Sequence, residues 1–300
     1  MPELNHHNRY SFSPIVDRPD FSWQDGKRLA FYVGVNVEWF AFNEEGGAVL
    51  ASSNPTPDVL NYAWRDYGNR VGIWRMLDLF DELELPVVAL LNGAIANHAP
   101  QIIRAFQSRG DEIVAHGHTN STQPGQLSRS DEQAMIENVK ERLTEATGTA
   151  PKGYLAPLIS ESVHTPDLLD EAGYEYLLDW AHDEQPVWFD TETKNGTGRI
   201  LSVPYPQELN DVPQIMGRRR EAPEFAEMIL SAFDLHQREC ANRPVVMGIA
   251  LHPYLMGQAH RFAHLERALR SIKERAGSET WFTTTGAINS HFRNLKIEMS

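Results

Sequence analysis

Residues 71–117 read "VGIWRMLDLFDELELPVVALLNGAIANHAPQIIRAFQSRGDEIVAHG", and the helical and strand patterns alternate twice in this stretch. Apolar residues recur at helical spacing over 71–83, and the apolar run 86–93 that follows is typical of a buried strand. A second helix is predicted over 100–110, where Gly110 supplies the stop, and a second strand over 112–117. Such alternation predicts parallel strands that are joined by crossover helices.

The same alternation runs through the rest of the chain. Further strand-like runs occupy 28–40, 152–157, 174–180, 199–205, 245–253 and 280–285. Further helices are predicted over 130–148, 165–173, 222–240 and 262–277, the first of them capped by Ser130. Roughly seven strand–helix units favour a closed α/β barrel over an open doubly wound sheet. No G-x-G-x-x-G or G-x-x-x-x-G-K-[ST] loop is present, which argues against a nucleotide-binding sheet.

Composition excludes several classes of partner. Lys and Arg number 27 against 41 Asp and Glu, and the formal net charge of −14 disfavours nucleic acid and anionic membranes. Hence we expect neither as a partner. The single Cys240 excludes an internal disulfide, and the polar start "MPELNHHNRYSFSP" lacks an apolar signal region. We therefore expect a cytoplasmic protein, and the absence of linkers or repeats predicts one domain over residues 1–300.

The active site of such a barrel lies at the carboxyl ends of its strands. That rule selects a short list of polar residues at or just beyond the predicted strand ends: Asn36, Glu38, Asn92, His116, His118, Asp179 and His252. Asn36 and Glu38 are two apart on one strand, so their side chains share a face. Either they belong to a site, or Glu38 pairs with a buried arginine such as Arg70 or Arg75.

The histidines allow two readings. His252, between an apolar strand and Pro253, is either a hydrogen-bonded core residue or a general acid with a pKa near the working pH. His116 and Asn120 are four apart, so a helical turn would bring them to one side, with His118 pointing elsewhere. Paired histidines commonly hold zinc, but asparagine is a poor zinc ligand, so the local signal indicates a polar site more than a metal site.

Longer phrases resemble a known family. Residues 65–118, followed in order by "PKGYLAP", "TPDLLDEAGYEYLLDWAHDEQPVWF", "VPYPQELND" and "LHPYLMGQAHR", are similar to the NodB-homology polysaccharide deacetylases. Among these, the chain most resembles the allantoinase-like and peptidoglycan-deacetylase-like branch of the carbohydrate esterase 4 superfamily. The resemblance spans about residues 28–290. It implies a distorted (β/α)7, TIM-like barrel and hydrolysis of a non-peptide C–N bond.

The family pattern maps onto this chain with departures. Its metal-dependent members carry Asp-x-Asp on the first strand, as base and metal ligand, and a His-x-x-x-His pair. The matching positions here are Asn36, Glu38, His116 and Asn120, while His252 matches the strand-end histidine that acts as acid. The allantoinase-like branch similarly has Asn-x-Glu and lacks the second histidine, and its members are regarded as metal-independent. The resemblance therefore implies no cofactor, or one weakly held zinc ion on Glu38, His116 and Asn120.

Three functions follow as hypotheses. The first is an amidohydrolase of a small amide or ureide, with Glu38 or His116 as base, His252 as acid and backbone N–H groups of 155–157 for the oxyanion. The second is a metal-dependent N-deacetylase of an amino sugar or peptidoglycan fragment. The third is a non-catalytic barrel that binds a metabolite or sugar, motivated by the loss of both Asp-x-Asp carboxylates.

Substrate contacts are expected from further residues, and the partner is expected to be a small molecule. The predicted substrate-binding residues are Asn36, Arg70, Asn120, Asp179 and Trp180. Asp179 could instead be a turn residue, Trp180 a core residue and Arg70 an ion-pair partner. The segments 43–69 and 207–223 are predicted to form variable lids over the barrel mouth. The family resemblance also implies a homo-oligomer.

Overall fold

A computed structural model describes residues 6–44, 46–52 and 55–297 of the chain. Its strands are β1 (Leu29–Val37), β2 (Val87–Leu91), β3 (Glu112–Ala115), β4 (Gly153–Tyr154), β5 (Tyr176–Leu177), β6 (Val187–Thr193), β7 (Gly196–Ser202), β8 (Val245–Leu251) and β9 (Thr280–Phe282). Its α-helices are α1 (Val59–Tyr67), α2 (Ile73–Glu82), α3 (Ile95–His98), α4 (Pro100–Arg109), α5 (Arg129–Thr147), α6 (Thr165–Glu171), α7 (Ala222–Glu239), α8 (Ala259–Arg275) and α9 (Thr285–Leu295).

The strands form one sheet whose order is β6-β7-β5-β4-β3-β2-β1-β8, with β9 also paired to β1. Every ladder is parallel except that of the β6–β7 hairpin. An isolated parallel bridge joins Asn210, in the segment after β7, to Ala250 of β8, without a continuous ladder. The predicted α/β fold with parallel strands and intervening helices is therefore confirmed, although the ladders of the described residues do not trace a closed ring.

Burial explains why the central strands are so apolar. All nine residues of β1 are buried, as are all residues of β2 and β8, because helices cover the outside of the sheet and because β1 and β2 also lie between other strands. The apolar faces of α2, α4, α5, α7 and α8 join the same hydrophobic core. None of the helices in the described ranges combines the length and the apolarity that a membrane crossing requires.

Several sequence predictions need correction. The run 187–193 forms β6, which the sequence analysis missed although Asn195-Gly196 is a hairpin signal and its burial alternates. The cap of α5 is Ser128, whose side chain accepts from the Asp131 N–H, and not Ser130. Gly110 and Gly148 do end α4 and α5 in the left-handed conformation.

Candidate active site

Strand register brings the predicted catalytic residues to one level. Val37 pairs with Leu91 and Leu91 with Ala115, so the residues that follow, Glu38 and His116, leave the sheet side by side. On the other side of β1, Val35 pairs with Leu251, which places His252 beside Asn36. The structure thus gathers the ends of β1, β3 and β8 at the carboxyl edge of the sheet, where the sequence places the site.

Glu38 lies at the centre of this cluster. Its Oε1 is 3.4 Å from His252 Nε2 and 3.7 Å from His116 Nε2. The Asn120 amide donates to the same oxygen, and the Tyr254 hydroxyl donates to Oε2 at 3.0 Å. Burial acts to raise the pKa of Glu38, but the charge of the neighbouring His252 outweighs it, and the pKa falls to about 2. Glu38 is therefore a carboxylate at neutral pH.

Asp211 contacts both the ring and the backbone of His252. Its Nδ1 lies 2.6 Å from Asp211 Oδ1, and its backbone N–H donates to Asp211 Oδ2 at 2.8 Å. Burial acts to lower the pKa of His252, but the carboxylates of Asp211 and Glu38 outweigh it and raise the pKa to about 10. His252 is therefore a charged imidazolium at neutral pH, and its Nε2–H is directed towards Glu38.

His116 presents a different arrangement. Its Nδ1 contacts the carbonyl oxygen of Leu155 at 2.8 Å. Because a carbonyl only accepts, Nδ1 carries the proton and a neutral ring exposes the Nε2 lone pair. Nε2 is buried and has no hydrogen-bond partner among the described residues. His116 therefore offers an acceptor of protons beside the Glu38 carboxylate.

The orientation of Asn120 is fixed by a chain of hydrogen bonds. The Trp39 backbone N–H donates to Asn92 Oδ1 at 2.7 Å, so Asn92 turns its amide nitrogen away. Asn92 Nδ2 then donates to Asn120 Oδ1 at 3.1 Å, which directs Asn120 Nδ2 to Glu38. Asn120 thus presents N–H groups, and not an oxygen, to the cluster.

A cavity of about 240 Å³ opens onto these residues. Its wall includes Glu38, His116, His252, Asn36 and residues of both segments predicted as lids, namely Gly47, Ala48, Gln207, Asn210, Val212 and Pro213. Residues 45, 53 and 54 of the first lid lie outside the described residues. The Nε2 of Gln207 is a buried donor with no partner in the described chain. Asn36 is committed to Tyr205, since its Nδ2 donates to that hydroxyl at 2.9 Å.

The remaining predicted residues lie off the cavity wall. Arg70 is exposed and pairs with Asp66, so neither it nor Arg75, which contacts Tyr67 and Gly257, is a partner of Glu38. Asp179 and Trp180 lie behind the wall.

The backbone amides proposed for the oxyanion are already used, which corrects that prediction. Leu155 N–H donates to Ala115 O, Ala156 N–H donates to Asp179 at 2.6 Å, and Pro157 has no N–H.

One residue of the site was not predicted from the sequence. Asp211 is fully buried against His252, although the two residues are 41 positions apart in the chain. Asp211 does fall inside the phrase "VPYPQELND", which the family resemblance already marked, and that phrase was the one available signal.

Residues 56–177 match the family model described as polysaccharide deacetylase. Over these residues the chain is similar to a polysaccharide deacetylase domain. A relative from Schizosaccharomyces pombe that bears the polysaccharide deacetylase name is 23% identical over 275 residues, covering 87% of this chain and 84% of the relative. The domain is thus that of a hydrolase acting on C–N bonds, as expected from the sequence.

Two solved structures resemble the chain across most of its length. The Puue allantoinase is 27% identical with a TM-score of 0.81, covering 93% of this chain and 94% of that one. A "probable polysaccharide deacetylase" from Pseudomonas aeruginosa PAO1 is 26% identical with a TM-score of 0.82, covering 93% and 95%.

Deacetylases of this family generally use a divalent metal, and the side chains of the cluster show whether such an ion would fit. Glu38 and His116 each offer one ligand atom, but Asn120 directs an amide donor at the position where a third ligand oxygen would be needed. His252 Nε2 faces Glu38, and the Asp211 carboxylate beside Nδ1 favours the protonated ring. The donor set does not fit a tightly held divalent metal, and we route no step through one.

Two other features of the structure lie outside this cavity. A wider groove of about 1040 Å³ runs beside α7 and shares Tyr205 and Gln207 with the cavity. Near this groove, potential metal-ligand atoms of Glu184, His236 and Glu239 lie within 4.8 Å of one another. The groove is larger, but the cavity holds the buried charged cluster, and we assign the chemistry to the cavity on that ground.

Proposed function

We propose that the chain is a metal-independent amidohydrolase of a small amide or ureide. The observation that carries this proposal is the buried set of Glu38, His116 and His252, in which both histidines lie beside the carboxylate and His116 Nε2 has no hydrogen-bond partner in the described chain. The set supplies a base and an acid without a metal ion. The likeness to the allantoinase structure, at 27% identity, supports a ureide as the substrate class.

His116 is the base in this proposal. A carboxylate with a pKa of about 2 is a weak base, so Glu38 accepts the proton of a water poorly. His116 Nε2 has no protein partner in the described chain and faces the same space. His116 removes the proton of the attacking water. Glu38 accepts a hydrogen bond from that water, and its negative charge stabilises the positive charge of His252. Of the two bases that the sequence left open, the contacts support His116.

His252 is the acid. Its Nε2–H borders the cavity, and the Asp211 carboxylate keeps the ring charged and oriented in the way an aspartate orients the histidine of a hydrolytic triad. It delivers its proton to the leaving nitrogen. The unpartnered Gln207 Nε2 is a donor for the substrate carbonyl oxygen, a role that the backbone amides of 155–157 cannot take.

Substitution of the three central residues tests the proposal. Glu38→Gln, His116→Ala and His252→Ala are each expected to lower kcat by roughly 100-fold to 10,000-fold, the usual contribution of a positioned acid or base. The assay would use allantoin and related cyclic and linear ureides, with N-acetylglucosamine oligomers in parallel. His118→Ala is the matched control, because this histidine is two residues away from His116 and does not line the cavity.

The competing functions predict other outcomes. Release of acetate from the oligomers, with ureides untouched, would favour the N-deacetylase. Binding of a ureide without turnover, at an affinity that His252→Ala leaves unchanged, would favour the non-catalytic barrel. If all three variants retain wild-type turnover of the true substrate, the assignment of the site is wrong.

A further inference from the structure

Two carboxyl groups lie buried behind the wall of the cavity. Asp179, just beyond β5, accepts the Ala156 N–H on Oδ1 at 2.6 Å, and Glu161 accepts the Trp180 indole N–H on Oε2 at 2.8 Å. The second oxygen of each, Asp179 Oδ2 and Glu161 Oε1, is buried and has no donor in the described chain. Neither carboxyl is paired with a cation at hydrogen-bond distance in the described residues, which is unusual for buried carboxylates.

A single proton accounts for both unsatisfied oxygens. A proton held between these two oxygens would give each of them a partner, because two carboxyl groups can hydrogen-bond one another only when one of them is protonated. Burial raises the pKa of both carboxyl groups, and the charge of Glu161 raises that of Asp179 further. Among other titratable groups facing the pair, Glu132 opposes ionisation of both and Arg9 favours that of Glu161. Tyr154, also buried, keeps its hydroxyl protonated because burial raises its pKa.

One peptide group connects this pair to His116. The carbonyl oxygen of Leu155 accepts from His116 Nδ1 at 2.8 Å, and the N–H of Ala156 donates to Asp179 at 2.6 Å. These two atoms belong to the same peptide plane, which is rigid. A rotation that frees the N–H from Asp179 would also turn the carbonyl away from His116, and with it the atom that fixes the tautomer of the ring.

We propose that Asp179 and Glu161 share one proton, and that the pair positions His116 through the peptide group between Leu155 and Ala156. Asp179 is thereby a positioning residue for the base. The catalytic consequence rests on the function proposed above, whereas the shared proton and the tautomer of His116 do not. The order of contacts runs from the Trp180 indole through Glu161, Asp179 and the peptide to His116.

Infrared spectroscopy tests the shared proton directly. At neutral pH the wild-type protein is expected to show the carbonyl absorption of a protonated carboxyl, and the difference spectrum against Asp179→Asn should contain that band. A difference spectrum without it would overturn the shared proton. The measurement is made on the folded wild-type protein and on an isosteric variant. It does not require turnover, so its result remains valid even if the proposed function is wrong.

The link to His116 is tested by comparing two substitutions at one position. Asp179→Asn keeps an oxygen for the Ala156 N–H and an N–H for Glu161, whereas Asp179→Ala removes both. We expect nitrogen-15 NMR of labelled histidine to report an Nδ1-protonated His116 in the wild type and in Asp179→Asn, and a changed tautomer signal in Asp179→Ala. An unchanged signal in Asp179→Ala, or an inactive Asp179→Asn, would overturn the positioning role.

Turnover adds a separate readout. Asp179→Ala is expected to lower kcat by roughly 100-fold with a smaller change in KM, the scale of a misplaced catalytic group, and Asp179→Asn to recover most of that loss. Glu112→Gln is the matched control, since Glu112 is a buried carboxyl bonded to Tyr176, Thr285 and Gly286, none of which lines the cavity. An equal loss in Glu112→Gln would mean that Asp179→Ala acts only through stability.

Discussion

At the scale of single residues, the site is a balance of three buried charges. Glu38 and Asp211 are negative, and His252 between them is positive, so each carboxylate finds a cation that offsets the cost of its burial. Removing one member would leave another unpaired, which is why these residues are coupled. The neutral neighbours Asn120 and Tyr254 add donors to Glu38 without adding charge.

Asp211→Asn tests this balance through pH. His252, with a pKa of about 10, is protonated below that pH, so we expect kcat/KM of the wild type to fall as pH rises through about 10. Loss of the Asp211 charge lowers the pKa of His252, and the falling limb of the profile should move to lower pH.

The same substitution also changes stability. The raised pKa of His252, against its ordinary 6.5, contributes stability that is fully present below 6.5 and is lost as pH rises through about 10. Asp211→Asn should shrink that contribution. Asp190→Asn, which breaks an exposed ion pair with Arg199, is the control for a lost surface charge. A limb that stays in place in Asp211→Asn would show that another group governs it.

Residue types at strand ends could be predicted from the sequence, but their partners could not. Glu38, His116 and His252 each follow an apolar run, and the rule for parallel strands places them together. Asp211 lies in an irregular segment, where no period relates it to His252. The expected role of Arg70 depended on its charge alone, and the charge of a residue does not indicate that it lies on an exposed helical turn.

At the scale of elements, the turn after β3 fixes the geometry of His116. Gly117 has φ +60°, and a Cβ added there would lie 2.3 Å from Cγ of Pro157. Pro157 follows the Leu155–Ala156 peptide, which holds His116. The absence of a side chain at Gly117 therefore lets the β3 turn pack against the loop after β4.

Gly117→Ala should therefore cost both stability and activity. The left-handed backbone alone costs an L-residue about 1–2 kcal/mol, and the clash with Pro157 adds to that and displaces the acceptor of His116. Gly110→Ala isolates the backbone term, because Gly110 has φ +76° and its added Cβ would meet nothing within 4 Å. Urea unfolding and kcat measure the two effects. Equal losses of stability and unchanged kcat in both variants would contradict the packing argument.

Elements with a strong local period were predictable, and the others were not. The helices α4 and α5 have clear apolar faces and glycine stops, so their ends were predicted to within a few residues. Strands β4 and β5 have two residues each, because the predicted runs 152–157 and 174–180 leave the sheet early to build the loops behind the site. Tertiary contacts, such as that of Ala156 with Asp179, decide where those strands stop.

At the scale of the whole molecule, the described residues include two regions with potential ligand atoms for a divalent metal, and only one of these regions borders the cavity. The cavity offers Glu38 and His116 but an amide donor from Asn120, whereas the exposed group of Glu184, His236 and Glu239 offers three ligand atoms within 4.8 Å of one another. Metal found in the purified protein would thus not by itself identify a metalloenzyme.

Metal analysis combined with substitutions separates the two regions. We expect protein purified without chelator to hold less than one equivalent of zinc, and dialysis against a chelator to leave kcat unchanged, because the proposed acid and base are histidines. Any zinc that does bind should be lost in His236→Ala and retained in His116→Ala, since only the former removes a ligand of the exposed group. The opposite pattern, in which one equivalent of zinc disappears in His116→Ala and chelation abolishes turnover, would establish the metal-dependent N-deacetylase chemistry instead.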